Sequence, residues 1–241
     1  MSTIHFIGGE KGGVGKSVVA RVVAQYAIDR AIPFVAVDAD GSHGALLRFY
    51  ADHSRAVDLG AFESADQIMT LATEADRRVL VDLPAQSDRV LAAWIAEAGV
   101  LELARESGVG VVFWHVMDDG KDSVLTLDRL MKRHGASARY AVVLNHGRGK
   151  DFSLFEQSPT HATALALGAA VIALPELHAA AMAKIDRFDA SFWAAVNNPA
   201  VGGAAVGGAA VGGDALTRMD RQRVKVWLET AFDRLTTAGI V

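Results

Sequence analysis

The sequence contains no cysteine, and this absence removes several kinds of protein from consideration. Without a thiol the chain has no disulfide framework, no thiolate metal site and no cysteine-held iron–sulfur cluster. Aromatic residues are scarce at 7%, whereas hydrophobic residues make up 51% of the 241 positions. A core of this composition is built mainly from alanine, valine and leucine, which suits helices packed on a sheet.

The chain also lacks an excess of positive charge and any long hydrophobic run. Its formal net charge is −4, so binding of nucleic acid would need a local basic patch. The longest apolar stretch, residues 163–174, contains Gly168 and stops at Pro175, which is too short for a membrane span. The first residues lack the features of a signal peptide. We therefore expect a cytoplasmic protein without a membrane span.

The sequence does contain a glycine-rich segment, GEKGGVGKS at residues 9–17, between a short apolar run and a stretch with helical spacing. A glycine-rich turn between a strand and a helix points backbone N–H groups into a hollow at the positive end of the helix dipole, and such a hollow binds phosphate. Lys16 can reach the β- and γ-phosphates, and the Ser17 hydroxyl can ligate Mg²⁺. The segment predicts binding of a nucleoside triphosphate. The residues predicted to contact it here are Gly12, Gly13, Val14, Gly15, Lys16, Ser17 and Val18.

Short apolar runs recur along the chain, and each is followed by a longer stretch with helical periodicity. This alternation predicts a single α/β domain with a mainly parallel, twisted sheet and helices on both faces. Residues 1–196 form the predicted core, 197–214 a loop of low complexity rich in Gly, Ala and Val, and 215–241 a C-terminal helix of the same domain. A partner-binding insertion is the alternative for the loop. The predicted strands are 4–7, 34–37, 56–62, 79–83, 109–116, 140–144 and 169–174.

Polar residues follow several of these runs, and in a parallel sheet the carboxyl ends of the strands meet at one edge. Asp38 and Asp40 follow the second run, Asp82 lies in the fourth and Asn145 follows the sixth. We expect these side chains to gather around the glycine-rich segment. Asp82 is placed like a Walker B carboxylate that holds Mg²⁺, and Asp38 would lie near the same ion. The alternative for either Asp38 or Asp40 is a cap of the short helix after Gly41.

The glycine-rich segment carries an additional lysine, Lys11, and Glu10 stands where the standard phosphate-loop motif has glycine. The combination K-G-G-V-G-K-S resembles the deviant Walker A motif of the ParA/MinD ATPases, whose ParA branch tolerates a residue other than glycine before this lysine. The chain starts directly at its first predicted strand and is similar to the small ParA-like members without an N-terminal helix-turn-helix. The resemblance implies a P-loop NTPase fold with ATP and Mg²⁺ as ligands.

The same resemblance implies roles for individual residues. Lys11 would cross a homodimer interface to the partner's phosphates, Lys16 would stabilise the γ-phosphate, and Asp40 would orient the attacking water. Asn145 resembles the family asparagine that reads the adenine edge, with an ordinary strand-end turn as its alternative. His43 is a candidate neighbour of the phosphates without an assigned role. The backbone predicted to line the base pocket is that of Pro175, Glu176 and Leu177.

The function implied is an ATP-driven dimerisation switch, a slow ATP hydrolase that a partner protein stimulates. Its closed dimer would bind non-specific DNA and position a plasmid, chromosome or other cargo, which would place it at the nucleoid. Two alternatives are an accessory ATPase of conjugative DNA transfer or mobilisation and an ATP-dependent ligase or synthetase on the same fold. The candidate DNA contacts are Arg218, Arg221, Arg223 and Lys225, or else these form the solvated end of a packed helix.

Overall fold

The computed structural model of the protein describes residues 1–41, 44–202, 204–206, 209–211 and 215–241. The prediction that His43 neighbours the phosphates lies outside the described residues, as does part of the tract of low complexity.

A parallel sheet forms the centre of the described structure. Its strands are β1 (Thr3–Gly8), β2 (Phe34–Asp38), β3 (Ser54–Ala56), β4 (Arg78–Asp82), β5 (Gly110–Met117), β6 (Arg139–Asn145) and β7 (Ala170–Leu174). They are ordered β3-β2-β4-β1-β5-β6-β7, and every neighbouring pair is parallel. The predicted α/β fold with a mainly parallel sheet is therefore confirmed, and β1 lies at its centre between β4 and β5.

Helices cover both faces of this sheet. In chain order they are α1 (Lys16–Asp29), α2 (Ala45–Phe49), α3 (Phe62–Glu74), α4 (Asp88–Glu97), α5 (Val100–Glu106), α6 (Lys121–His134), α7 (Ser153–Glu156), α8 (Pro159–Ala166), α9 (Ala179–Arg187), α10 (Phe192–Asn197) and α11 (Arg218–Ala238). Successive side chains of a strand point to opposite faces, so Ile7 of β1 lies in one hydrophobic core and Phe6 in the other. The Ile7 core contains residues of α1, α2 and α9 to α11, and the Phe6 core contains residues of α3 to α8.

The third predicted strand, 56–62, is wrong in its position. The strand there is β3, which ends at Ala56, and α3 already begins at Phe62. Val57 and Leu59 are buried, but they anchor a turn, in which the Asp58 carboxylate accepts a hydrogen bond from the Gly60 N–H. Apolar residues that anchor a turn have the same spacing as those of a short strand, and this caused the error.

Two short strands lie in the tract expected to be a loop. They are β8 (Ala204–Val206) and β9 (Ala209–Val211), which pair antiparallel with Val206 opposite Ala209. Both strands have the sequence A-A-V, and valine favours extended backbone, so near copies in succession can pair with each other. None of the helices within the described ranges is both long enough and apolar enough to cross a membrane.

The C-terminal helix α11 buries the apolar face that its sequence predicts, and it packs against α10 and β7. It begins with a capping box, in which the Thr217 hydroxyl accepts from the Asp220 N–H and the Asp220 carboxylate accepts from the Thr217 N–H. Lys184 of α9 also donates to this carboxylate at 2.8 Å. Burial alone would raise the pKa of Asp220, but the hydrogen bonds from Lys184 and Thr217 outweigh burial and hold the pKa at about 2.

We predict that Asp220→Ala lowers the free energy of unfolding by about 2 kcal/mol, because it removes the carboxylate half of the capping box and leaves the half-buried Lys184 ammonium without its carboxylate partner. Denaturation by urea at neutral pH measures this change. The matched control is Asp233→Ala, an exposed aspartate of the same helix, which should change stability by less than about 0.5 kcal/mol. If the two variants lowered the free energy of unfolding equally, the stabilising role of the Asp220 carboxylate would be contradicted.

Candidate nucleotide site

The glycine-rich segment leaves β1 and enters α1 through backbone that favours glycine. Gly13 and Gly15 have φ angles of 79° and 98°, in the left-handed region. A Cβ atom on Gly15 would lie 2.3 Å from the Asn145 side-chain nitrogen, so a larger residue there would displace this amide. Among the described residues no side chain caps the start of α1, which suits an anion at its first N–H groups. This is the arrangement expected of a phosphate loop.

Lys16 is the buried cation of this loop. Its ammonium donates to the Lys11 carbonyl oxygen at 3.1 Å. Burial lowers the pKa of Lys16, and the carboxylates of Asp82, Glu10 and Asp40 act in the opposite direction. A nucleotide phosphate would be a stronger acceptor for this ammonium than a neutral carbonyl group.

Asp82 is the most strongly perturbed acid of the site. It ends β4, it is 1% exposed, and neither of its carboxylate oxygens accepts a hydrogen bond of normal geometry from the described residues. Burial, and next the charge of Asp38, raise the pKa of Asp82 to about 7, while the nearby Ser17 hydroxyl and Lys16 offset part of this rise. Buried carboxylate oxygens without partners, beside a hydroxyl at a phosphate loop, fit a Mg²⁺ ion.

Mg²⁺ commonly takes one or two protein oxygens and completes its shell with water and phosphate oxygens. Here the Ser17 hydroxyl and the Asp82 carboxylate would supply the protein oxygens. No group of three or more His, Cys, Asp or Glu within the described residues could hold a metal by itself. The ion would therefore depend on the nucleotide for the rest of its ligands.

Asp38 and Asp40 lie at the same edge but differ in their contacts. The Asp38 carboxylate accepts hydrogen bonds from the backbone N–H groups of Asp40, Leu46 and Leu47, the last two at the start of α2. These contacts match the helix-capping alternative for Asp38, and they do not favour a direct magnesium ligand. Asp40 is half-buried and close enough to influence the pKa of Lys16 and of Asp82, and its role toward water remains a prediction.

A cleft of about 270 Å³ adjoins the phosphate loop on the side of β6 and β7. The four residues predicted to meet the base all line it, together with Val18, which was predicted to contact the nucleotide; these are Asn145, Pro175, Glu176, Leu177 and Val18. The Trp227 indole of α11 donates to the Pro175 carbonyl at 2.7 Å and forms part of the wall.

Asn145 also has contacts within the chain, as its strand-end alternative predicts. Its side-chain nitrogen donates to the Val14 carbonyl at 2.7 Å, and its side-chain oxygen accepts from the Gly147 N–H at 3.0 Å. An amide has two N–H donors and two acceptor positions, so these contacts within the described residues leave one of each for a base edge.

Two charged contacts of the loop were missed by the sequence analysis. The Lys11 ammonium forms an ion pair with Asp118, in the turn after β5, and Ser123 donates to the same carboxylate. Glu10 accepts from the Asp88 N–H at the start of α4. A run of acidic residues directly after a buried strand, at the edge where the glycine-rich segment also emerges, was the available signal for Asp118.

The basic residues of α11 are mostly engaged within the chain. Arg221 donates to the Leu216 carbonyl, Arg223 pairs with Asp220, and Lys225 lies 3.9 Å from Glu229. Arg218 is exposed at the first position of the helix. These contacts match the alternative of a solvated helix end, and a contact with DNA remains a prediction.

The phosphate loop, the aspartate at the end of β4 and the parallel order around a central β1 together define the fold as that of a P-loop NTPase. The MinD cell division protein of Aquifex aeolicus, solved in complex with MinC, shares it with a TM-score of 0.57 and 13% identity, over 98% of this chain and 96% of that one. A second MinD structure from Aquifex aeolicus aligns with a TM-score of 0.51 and 14% identity, over 98% and 97%.

Two relatives are similar in sequence. Protein TraL of Escherichia coli is 25% identical over 252 residues, which cover 100% of both chains. Protein MobD of Acidithiobacillus ferrooxidans is 25% identical over 182 residues, 73% of this chain and 78% of the MobD chain. No family model matches the sequence.

Without Mg²⁺, the charge of Asp82 should destabilise the fold. Because the pKa of Asp82 is raised to about 7, from about 3.9 in unfolded chains, its contribution to stability falls as the pH rises between these values. Asp82→Asn removes this dependence. The free energy of unfolding of Asp82→Asn, relative to that of the wild type, should therefore increase by on the order of a few kcal/mol between about pH 4.5 and about pH 7.5. Urea denaturation with a chelator measures this, and a constant difference would contradict it.

Proposed function

We propose that the protein is an ATP-dependent dimerisation switch of the ParA/MinD type, a slow ATPase that depends on a homodimer and a stimulating partner protein. The observation that carries this proposal is the pair of lysines in the phosphate loop. Lys16 is buried beside Asp82, whereas Lys11 is partly exposed and held by Asp118 at the rim of the site. An exposed second lysine at the rim of the site could bind the phosphates of a nucleotide held by another protomer.

Transfer of a phosphoryl group to water requires mainly correct positions and charge stabilisation. Lys16 would leave the Lys11 carbonyl and bind the terminal phosphates, while Asp40 would orient the attacking water. Ser17 and Asp82 would hold Mg²⁺, which when bound neutralises phosphate charge. Lys11 would have to leave Asp118 before it could reach across a dimer, so formation of the dimer would exchange one ion pair for another.

The relatives in sequence help to choose between the two candidate functions, conjugative DNA transfer and partition. Similarity to Protein TraL over the whole chain, and to Protein MobD over most of it, supports the alternative of an accessory ATPase of conjugative DNA transfer or mobilisation. Partition of a plasmid or chromosome through non-specific DNA binding is the other candidate, since it follows from the ParA-like motif. A ligase or synthetase on the same fold would give Lys11 no evident task.

Lys11→Ala should leave binding of ATP to the monomer intact but abolish the ATP-dependent dimer, because Lys16 and the glycine backbone remain while the bridging charge is lost. Light scattering with a slowly hydrolysed ATP analogue measures the dimer, and titration calorimetry measures nucleotide binding. Lys132→Ala is the matched control, since Lys132 is another exposed lysine paired with an aspartate, Asp128. If Lys11→Ala formed the ATP-dependent dimer as the wild type does, the proposed dimerisation switch would be wrong.

The choice between DNA and a protein surface can be tested with Asp40→Ala, which should bind ATP and accumulate as the closed dimer. Binding to non-specific duplex DNA should occur with ATP and not with ADP, and it should weaken steeply as salt rises, because phosphate contacts release counterions. Fluorescence anisotropy over a salt series measures this.

The double variant with Lys11→Ala and Asp40→Ala is the control, because it should bind ATP without forming the dimer. DNA binding by this control would show that the closed dimer is not required. If Asp40→Ala forms the ATP dimer but does not bind DNA, partition through non-specific DNA binding is excluded. The function related to conjugative transfer then remains, and the closed dimer would bind a protein instead of DNA.

A further inference from the structure

Glu10 makes two contacts that tie the phosphate loop to the segment after β4. Its carboxylate accepts a hydrogen bond from the Asp88 N–H at 3.2 Å, and its backbone carbonyl accepts from the Gln86 N–H, also at 3.2 Å. Both donors belong to the connection between Asp82 and α4. A glycine at position 10, as in the standard motif, could supply only the carbonyl contact.

The connection itself shows why an external contact is needed. Gln86 has a φ angle of 60°, a left-handed conformation that costs a residue other than glycine free energy unless its surroundings hold it. Ser87 is the N-cap residue of α4, but within the described residues its hydroxyl donates to the Pro84 carbonyl and accepts no capping hydrogen bond. Glu10 supplies the missing acceptor, and its negative charge lies at the positive end of this helix.

Lys11, the next residue, contacts a different element. Its ammonium is paired with Asp118 after β5, so adjacent residues of the phosphate loop hold the two connections on either side of β1. A Cβ atom on Gly12 would lie 3.9 Å from that of Ala85, which places residues 84–87 directly beside the loop. Movement of this segment would therefore change the surroundings of Asp82 and of any bound γ-phosphate.

We propose that Glu10 is a positioning residue, which holds the segment 84–87 against the phosphate loop through the Asp88 N–H and so fixes it for hydrolysis. This inference rests on the proposed ATPase function. Glu10 acts through the backbone that follows Asp82 and does not itself contact the nucleotide. Its hydrogen bond, more than its charge, carries the role.

Three variants separate these contributions. Glu10→Gln keeps the reach and an acceptor but loses the charge, Glu10→Asp keeps the charge but is shorter by one methylene, and Glu10→Ala loses both. Glu97→Ala, at the other end of α4, is the control for the helix. Steady-state phosphate release gives kcat and KM for ATP, and hydrogen–deuterium exchange of a peptide covering residues 84–91 reports the segment in the protein without nucleotide.

We expect Glu10→Ala and Glu10→Asp to lose about ten- to a hundredfold in kcat with KM little changed, because the segment is misplaced after ATP has bound. Exchange within residues 84–91 should accelerate in both variants, while Glu10→Gln and the control stay near the wild type. Unchanged exchange and kcat in Glu10→Ala would overturn the inference. If Glu10→Asp kept the wild-type kcat and exchange while Glu10→Gln did not, the negative charge of Glu10 and not its hydrogen bond would carry the role, and this part of the inference would be wrong.

A different result would count against the proposed function. If the wild type neither bound nor hydrolysed ATP, the ATPase function would be wrong, whatever the variants did. The exchange measurement would then still decide whether Glu10 holds the segment.

Discussion

The site depends on the position of β1 in the middle of the parallel sheet. Its hydrogen-bonded register places Ile7 opposite Asp82 of β4, and Gly8 opposite His115 of β5. The glycine-rich segment therefore leaves the sheet at the same level as the carboxylate on one side and the Asp118 turn on the other. Groups far apart in the sequence become neighbours because parallel strands end together, and the chemistry of the site follows from that geometry.

Charge at this edge is unbalanced in a way that a nucleotide with Mg²⁺ would correct. Neither carboxylate oxygen of Asp82 accepts a hydrogen bond of normal geometry within the described residues, while Asp38 is satisfied by backbone N–H groups. Lys16 lies buried among acidic groups and donates only to a carbonyl in the hydrogen bonds described. Burial of charges without close partners is costly, and the charges of a cation and of phosphates would offset that cost.

The sequence predicted those parts of the molecule that depend on local pattern. The parallel sheet follows from alternation, and the phosphate loop follows from glycine spacing. Contacts made by side chains across turns were not predictable in this way. Whether Lys11 meets Asp118, and whether Glu10 reaches Asp88, depends on the direction in which each turn leaves its strand. The misplaced third strand has a similar cause, since Val57 and Leu59 are apolar because they anchor a turn and not because they belong to a strand.

The Trp227 contact with the Pro175 carbonyl has a consequence for how the protein matures. All the other residues that line the cleft beside the phosphate loop precede position 187, whereas Trp227 comes about forty residues later. During synthesis the wall of the cleft is therefore completed only after the phosphate loop and the strands of the parallel sheet have been made. A ribosome-bound chain that has not reached α11 would carry the phosphate loop beside a cleft that still lacks its Trp227 wall.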